Sequence, residues 1–328
     1  MGQCCSSQNL PDLINKTDLN DSMKVQIYGP ADCEILGEQD DQQILENEIR
    51  INVNLMEYKN KYLIEVADNI GEQRVFLPYL KLQKNGVIYK GQWKNKQMDG
   101  YGQIIIPSKA YYCGKFEKGK LQGSGVVIHS NGDIYEGTLK NGAADEFGKF
   151  KTITGEKYEG YWKNDQKHGK GVFQSTLYKY DGHYDRGQKQ GSGELEIYHL
   201  FKYTGSFQNN MFQGEGEITY LDGSQRKYKG SFNNNRKSGQ GCFTWPSCEY
   251  EGSYKDDLRN GLGEINFKEG TKVSGMFVNG YLNGEATILK GENNSKAQFI
   301  NGEFNENNKL SDEIKKLFIL NDFDEDIH

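Results

Sequence analysis

From Tyr89 onward, apolar and polar positions follow a frame that returns about every 23 residues. The first copy sets Tyr89, Gly91 and Trp93 at every second position, with polar residues between them. Gly100 and Gly102 follow, then the apolar run Ile104-Ile105-Ile106. The frame returns at Tyr112, Gly114 and Phe116, at Tyr135 and Gly137, and at Tyr158, Gly160 and Trp162. It continues at Tyr180, Gly182 and Tyr184, at Tyr203, Gly205 and Phe207, at Tyr228, Gly230 and Phe232, and at Tyr250, Gly252 and Tyr254. A ninth copy has Val273 in the tyrosine slot, then Gly275 and Phe277, with Ala286 in the last glycine slot. A degenerate tenth starts near Ser295, with Phe299 and Gly302 in frame. In the third copy Leu139 replaces the second ring and Glu146 the first late glycine.

Alternation of period two predicts a half-buried strand. Polar pairs such as Lys94-Asn95 and Asn209-Asn210 mark a turn after it. A second strand follows, for example Val126-Val127-Ile128 or Glu217-Ile218-Thr219-Tyr220. Asn131-Gly132 and Asp222-Gly223 then suit tight turns into the next copy. One copy is therefore one β-hairpin. A lone hairpin is marginal in water, so stacking on neighbouring copies must supply the burial. The glycines, lacking Cβ, let a ring from the neighbouring strand lie on bare backbone. Each ring buries about 150–250 Å2, worth a few kcal/mol at about 25 cal/mol per Å2. The repeat rings are thus expected to hold the array together rather than to contact a ligand.

This frame resembles the MORN (membrane occupation and recognition nexus) repeat, from Tyr89 to about Gly302. The resemblance implies an all-β fold, an elongated single-layer antiparallel sheet of consecutive hairpins. Two strands per copy at about 4.8 Å spacing give nine copies a span on the order of 85–90 Å. It also implies scaffolding beside membranes or the cytoskeleton, in some members with lipid binding or self-association. In kinases and methyltransferases of this kind a separate catalytic domain accompanies the repeats. No such domain fits this chain, so a non-enzymatic protein without cofactor is expected.

The flanks change the picture. The net charge of -6 is uneven: residues 1–80 carry -8, residues 81–305 carry +6 and residues 306–328 carry -4. The acidic total and flanks argue against nucleic acid, and the mild excess of cations in the middle is a weak field. The opening Met1-Gly2-Gln3-Cys4-Cys5-Ser6 fits M-G-x-x-x-[ST]. Removal of Met1 would expose Gly2 for myristoylation, and Cys4 and Cys5 stand ready for palmitate. One myristoyl chain binds a membrane only reversibly; a second acyl chain makes anchoring stable. The N-terminus lacks the charged and apolar regions of a secretory signal, and no apolar run approaches the ~18 residues of a spanning helix. Domains are expected as follows: a flexible acylated tail over 1–22, a small β-rich spacer or cap over 23–80, the array over 81–305, and a capping helix with acidic tail over 306–328. In the cap, Ile51, Val53 and Leu55, and Tyr62, Ile64 and Val66, alternate as strands, and Arg74 to Leu82 leads into the array. In the last segment Leu310, Ile314, Leu317 and Phe318 share one helical face, with Ser311 as cap.

Other chemistry is close but incomplete. Gly114-Lys115-Phe116-Glu117-Lys118-Gly119-Lys120-Leu121 nearly spells a phosphate-binding loop. It lacks the following Ser/Thr and lies within a hairpin. No CxxC pair occurs among Cys4, Cys5, Cys33, Cys113, Cys242 and Cys248, and the five histidines have no metal-ligand spacing. No metal site is expected. The expectation is an acyl-anchored MORN scaffold at the cytosolic face of a membrane, the plasma membrane first. Its partners are proteins, with anionic phospholipid head groups and a second copy of the chain also open. The alternatives are a cytoskeletal or ciliary scaffold, or a regulatory partner of a phosphatidylinositol phosphate kinase.

Overall fold

The computed structural model describes residues 33–37, 74–82 and 86–304, and every element among them is a β-strand. The acylation motif, the strands expected around Ile51–Leu55 and Tyr62–Val66, and the helix expected after residue 305 lie outside the described residues. The fold is all-β, an open antiparallel sheet of consecutive hairpins, and its contacts divide into two compact units.

The first unit takes in the described residues up to Thr176, with His183–Gly187. It holds β1 (Cys33–Gly37), β2 (Val75–Leu82), β3 (Ile88–Lys94), β4 (Gln97–Ile106), β5 (Ala110–Glu117), β6 (Lys120–His129), β7 (Ile134–Lys140), β8 (Ala143–Lys151), β9 (Lys157–Lys163) and β10 (Gln166–Gln174). Each pairs antiparallel with the next. The strand expected over 74–82 is β2. The second unit takes in Leu177–Gly182 and the residues from Gln188. There β12 (Gln188–Ile197), β13 (Phe201–Gln208), β14 (Met211–Tyr220), β15 (Lys227–Asn233), β16 (Arg236–Thr244) and β17 (Cys248–Lys255) follow β11 (Tyr178–Asp185). They continue into β18 (Leu258–Phe267), β19 (Thr271–Val278), β20 (Tyr281–Lys290), β21 (Asn293–Ile300) and β22 (Glu303–Phe304). From β12 to β22 consecutive strands pair antiparallel.

The turn inside each copy has two successive residues at positive φ: Asn95 and Lys96 at 51° and 63°, Asn209 and Asn210 at 50° and 69°. This turn matches the twist of the flanking strands and favours Asn, Asp and Gly. Lys94, read as part of the turn, is instead the last residue of β3. Successive turns are stitched together. The N–H of Gly119 donates to the Met98 carbonyl at 2.8 Å, and that of Asp165 to the Ala144 carbonyl at 3.0 Å. In the second unit Asn235 donates to Phe212 at 3.0 Å and Asp257 to Lys237 at 3.0 Å. Where the second turn residue is Asn or Asp, its side chain answers. Asn235 Oδ1 accepts from the Phe212 N–H at 2.7 Å and Asp257 Oδ1 from the Lys237 N–H at 2.8 Å.

Burial alternates along the first strand of each hairpin from β9 on. On β9, Tyr158, Gly160 and Trp162 are buried while Lys157, Glu159, Tyr161 and Lys163 are exposed. Strands β3 to β6 differ, with neighbours such as Ile104 and Ile105, or Val126 and Val127, buried on both faces.

Candidate functional site

The rings are organised around pairs of glycines. Gly91 faces Gly102, and Gly114 faces Gly125; in the second unit Gly205 faces Gly216 and Gly230 faces Gly241. The tyrosine of each copy lies across both members of its pair. A Cβ on Gly125 would stand 2.5 Å from Tyr112 Cε2, and one on Gly216 2.5 Å from Tyr203 Cε2. The seat therefore combines the glycine two residues on in the same strand with the glycine on the neighbouring strand. The same holds at Gly137, Gly160, Gly182 and Gly252 under Tyr135, Tyr158, Tyr180 and Tyr250. Gly275 has Val273 in the tyrosine slot, and there the space is taken by Leu282 and Ala286.

A bulge follows the first glycine of these pairs, as between Gly91 and Trp93 or Gly205 and Phe207. The residue inside it has a carbonyl that leaves the ladder, and the tyrosine hydroxyl donates to it. The partners are Gln92 at 2.9 Å, Lys115 at 3.0 Å, Thr138 at 2.7 Å and Tyr161 at 2.9 Å. In the second unit they are Ser206 at 2.9 Å, Ser231 at 3.1 Å and Ser253 at 3.1 Å. Burial pushes the Tyr203 and Tyr250 hydroxyls up to about 12, and those of Tyr89 and Tyr228 higher still.

Where its own copy and the next both supply a ring, the tyrosine is held between two ring edges. Tyr89 meets Trp93 of its own copy and Phe116 of the next, both at 5.2 Å and 88°. Tyr203 meets Phe207 and Phe232 in the same way. Edge-to-face pairs of this kind add about 0.5–1.5 kcal/mol beyond their area. The rings in the first and second aromatic slots of the repeat, with Tyr112, Tyr184, Tyr254 and Phe277 among them, are buried. In the third copy Leu139 and Ala144 are small, and Trp162 of the next copy fills the space. Its indole sits 5.5 Å from Tyr135 and 6.2 Å from Phe150, and its N–H donates to the Gly148 carbonyl at 3.2 Å.

One position escaped the sequence reading. Two residues before the first late glycine, four copies carry a cation above the rings. Lys167 Nζ lies 4.5 Å from the Phe173 centroid and 5.0 Å from that of Tyr158. Lys237 Nζ lies 4.7 Å from Phe243, 5.5 Å from Tyr228 and 5.7 Å from Tyr254. Lys189 lies over Tyr178 and Tyr180, and Arg259 over Phe277, Tyr250 and Trp245. Other copies put Met98, Leu121, Phe212 or Leu282 in this slot, all buried. That apolar company was the available signal. A lysine read alone passes for a solvated surface residue.

Elsewhere the chemistry is sparse. An open pocket of about 610 Å3 lies beside the third and fourth turns, between Glu146, Tyr161, Trp162, Lys163 and His168. His168 Nδ1 pairs with Asp185 at 3.3 Å. Among the described residues no group of three or more His, Cys, Asp or Glu could hold a metal. Cys113, Cys242 and Cys248 are free thiols, and burial pushes the latter two up, away from the thiolate. The near match to a phosphate loop is the β5–β6 hairpin, its turn at Lys118-Gly119. Gly2, Cys4 and Cys5 lie outside the described residues.

Eight consecutive segments, residues 89–110, 112–134, 135–156, 158–176, 180–196, 203–225, 228–247 and 250–272, match the MORN repeat and together cover just over half of the chain. The chain belongs to the MORN repeat family. The MORN match ends at residue 272, while hairpins continue through β22. Among solved structures, the TCP domain of SAS-4 (dCPAP) from Drosophila melanogaster, in complex with a proline-rich motif of Ana2 (dSTIL), is similar at 13% identity and TM-score 0.30. The match covers 45% of this chain and 81% of that one. A mutant TCP10 domain of CPAP from Danio rerio is similar at 12% identity and TM-score 0.32, covering 66% of this chain and 92% of that one. Comparison with curated proteins finds no match. MORN repeats suggest a protein-binding, scaffold role and are generally non-catalytic.

Proposed function

We propose that this MORN protein is a non-enzymatic scaffold tethered to the cytosolic face of a membrane by acyl chains on Gly2, Cys4 and Cys5. The observation that carries the scaffold reading is that the array uses its own chemistry internally. Its rings lie on its own glycines and their hydroxyls bond its own carbonyls. What remains for partners is the outward run of polar turn and strand residues, such as Lys157, Glu159 and Lys163 on β9. Proteins are the first class of partner; anionic lipid head groups and a second copy are the others. The tether rests on Gly2 with two adjacent cysteines, the pairing of acyl chains that stable anchoring needs.

Metabolic labelling with alkyne myristate tests it, using the full chain with a C-terminal tag. The wild type is expected to label and Gly2→Ala to lose the label. A label that survives Gly2→Ala overturns the tether. Retention of an unlabelled chain in detergent-resistant cytoskeleton would favour the cytoskeletal scaffold instead.

A further inference from the structure

The face of β3–β6 turned away from the repeat tyrosines carries two apolar rows. Along the first, Lys81, Ile88, Ile105, Tyr111, Ile128 and Ile134 are successive cross-strand neighbours. Along the second run Lys90, Gln103, Cys113, Val126 and Glu136. Ile88, Ile105, Tyr111, Ile128, Cys113 and Val126 are each 0–1% exposed. The apolar rows stop at β8, where Ile134 faces Lys151 and Glu136 faces Lys149, and the same register positions on β9 are the charged Lys157 and Glu159. Those four are exposed.

Gln103 makes the point sharper. Its amide is 1% exposed in the middle of this face. Its Nε2 donates to the Tyr79 hydroxyl at 2.8 Å, and its Oε1 accepts from the Tyr111 hydroxyl at 2.9 Å. Burial drives the Tyr111 hydroxyl well above its ordinary value. A buried amide is tolerated when its partners are supplied and water is excluded. A sheet cannot exclude water from its own face; a second layer is needed. All described elements are strands of the sheet, so the cover comes from elsewhere in the chain or from a partner.

Connectivity points to one occupant. Residues 38–73 leave the end of β1 and return at β2, and these two strands pair beside β3. Their sequence alternates apolar residues at Ile51, Val53 and Leu55, and again at Tyr62, Ile64 and Val66. They carry nine carboxylates against three cations, and Lys81, Lys90 and the exposed Lys115 rim the face they would cover. We infer that residues 38–73 pack their apolar positions on the second face of β3–β6, so that in the first unit partners reach that face only from β7 onward. This inference is independent of the acyl tether.

Photo-crosslinking of the full chain tests it. Benzoylphenylalanine replaces Ser124, which is exposed on this face two residues from Val126. Mixed isotopically heavy and light copies are irradiated and the linked peptides identified. Links from position 124 to residues 38–73, all within one isotope, are the expected result. Links between heavy and light copies, links to residues 305–328, or none to 38–73 overturn it. A second measurement uses a chain whose only cysteine is Cys113. Its maleimide labelling is expected to be at least about tenfold slower than that of a cysteine-free chain carrying Lys149→Cys, since only local opening exposes it. Equal rates overturn the cover.

Discussion

Tyr203 lies across Gly205 and Gly216 and donates a hydrogen bond to the Ser206 carbonyl, so two changes probe one seat. Gly216→Ala puts a methyl 2.5 Å from the ring and should destabilise by about 1–3 kcal/mol. Tyr203→Phe keeps the ring and loses one hydrogen bond, about 0.5–1.5 kcal/mol. Urea unfolding of the two variants measures both. Glu146 occupies a slot where its counterparts, such as Gly169 and Gly214, are glycines at φ 61° and 71°; its own φ is 60°. Left-handed backbone costs a residue with a Cβ roughly 1–2 kcal/mol, so Glu146→Gly should stabilise by about 1 kcal/mol. Alkali probes the hydroxyls together. They ionise near pH 10 when unfolded but only at about 12 at Tyr203 and Tyr250 in the fold. Stability is therefore full below pH 10 and is lost as pH rises from 10 through 12. Tyrosinate absorbance followed beside unfolding should show these tyrosines titrating late or only as the chain opens. Tyrosines and glycines stood out in the sequence because their spacing is fixed. The bulge carbonyl that takes each hydroxyl did not, since no side chain marks it.

Hairpins were readable from alternation because position two residues on always shares a face. The turn ladder was only half readable. Asn and Asp announced positive φ, but their bonds to the carbonyl and N–H of the preceding copy depend on stacking, which single hairpins do not reveal. The cation slot was missed for a related reason. Polar neighbours around Lys237 read as solvated surface, while the register sets it opposite Phe232 on the ring side. It is 7% exposed, its ammonium set over the Tyr228, Phe243 and Tyr254 rings. Because Met98 fills the same slot in the first copy, Lys237→Met should cost no more than about 1 kcal/mol. Lys237→Ala removes both stem packing and the cation–ring attraction, itself worth up to about 2 kcal/mol, and should cost clearly more. Thermal unfolding of the pair separates packing from charge.

Across the molecule, the apolar clusters Ile104-Ile106 and Val126-Ile128 were visible in the sequence as runs. Their meaning was not, because a run buried on both faces reports a second layer without naming it. The acidic flanks and the acylation motif were equally visible, and in the proposed tether they bear on where the scaffold works rather than on how it folds. The proposed tether makes a quantitative demand: myristate alone holds a membrane only reversibly, at an association constant of about 10⁴ M⁻¹. Membrane flotation of the full chain, wild type beside Cys4→Ser with Cys5→Ser, tests this most directly. The account predicts that the wild type floats with the membranes and that the double variant falls at least about tenfold in the floated fraction. A double variant that floats as the wild type does would contradict it.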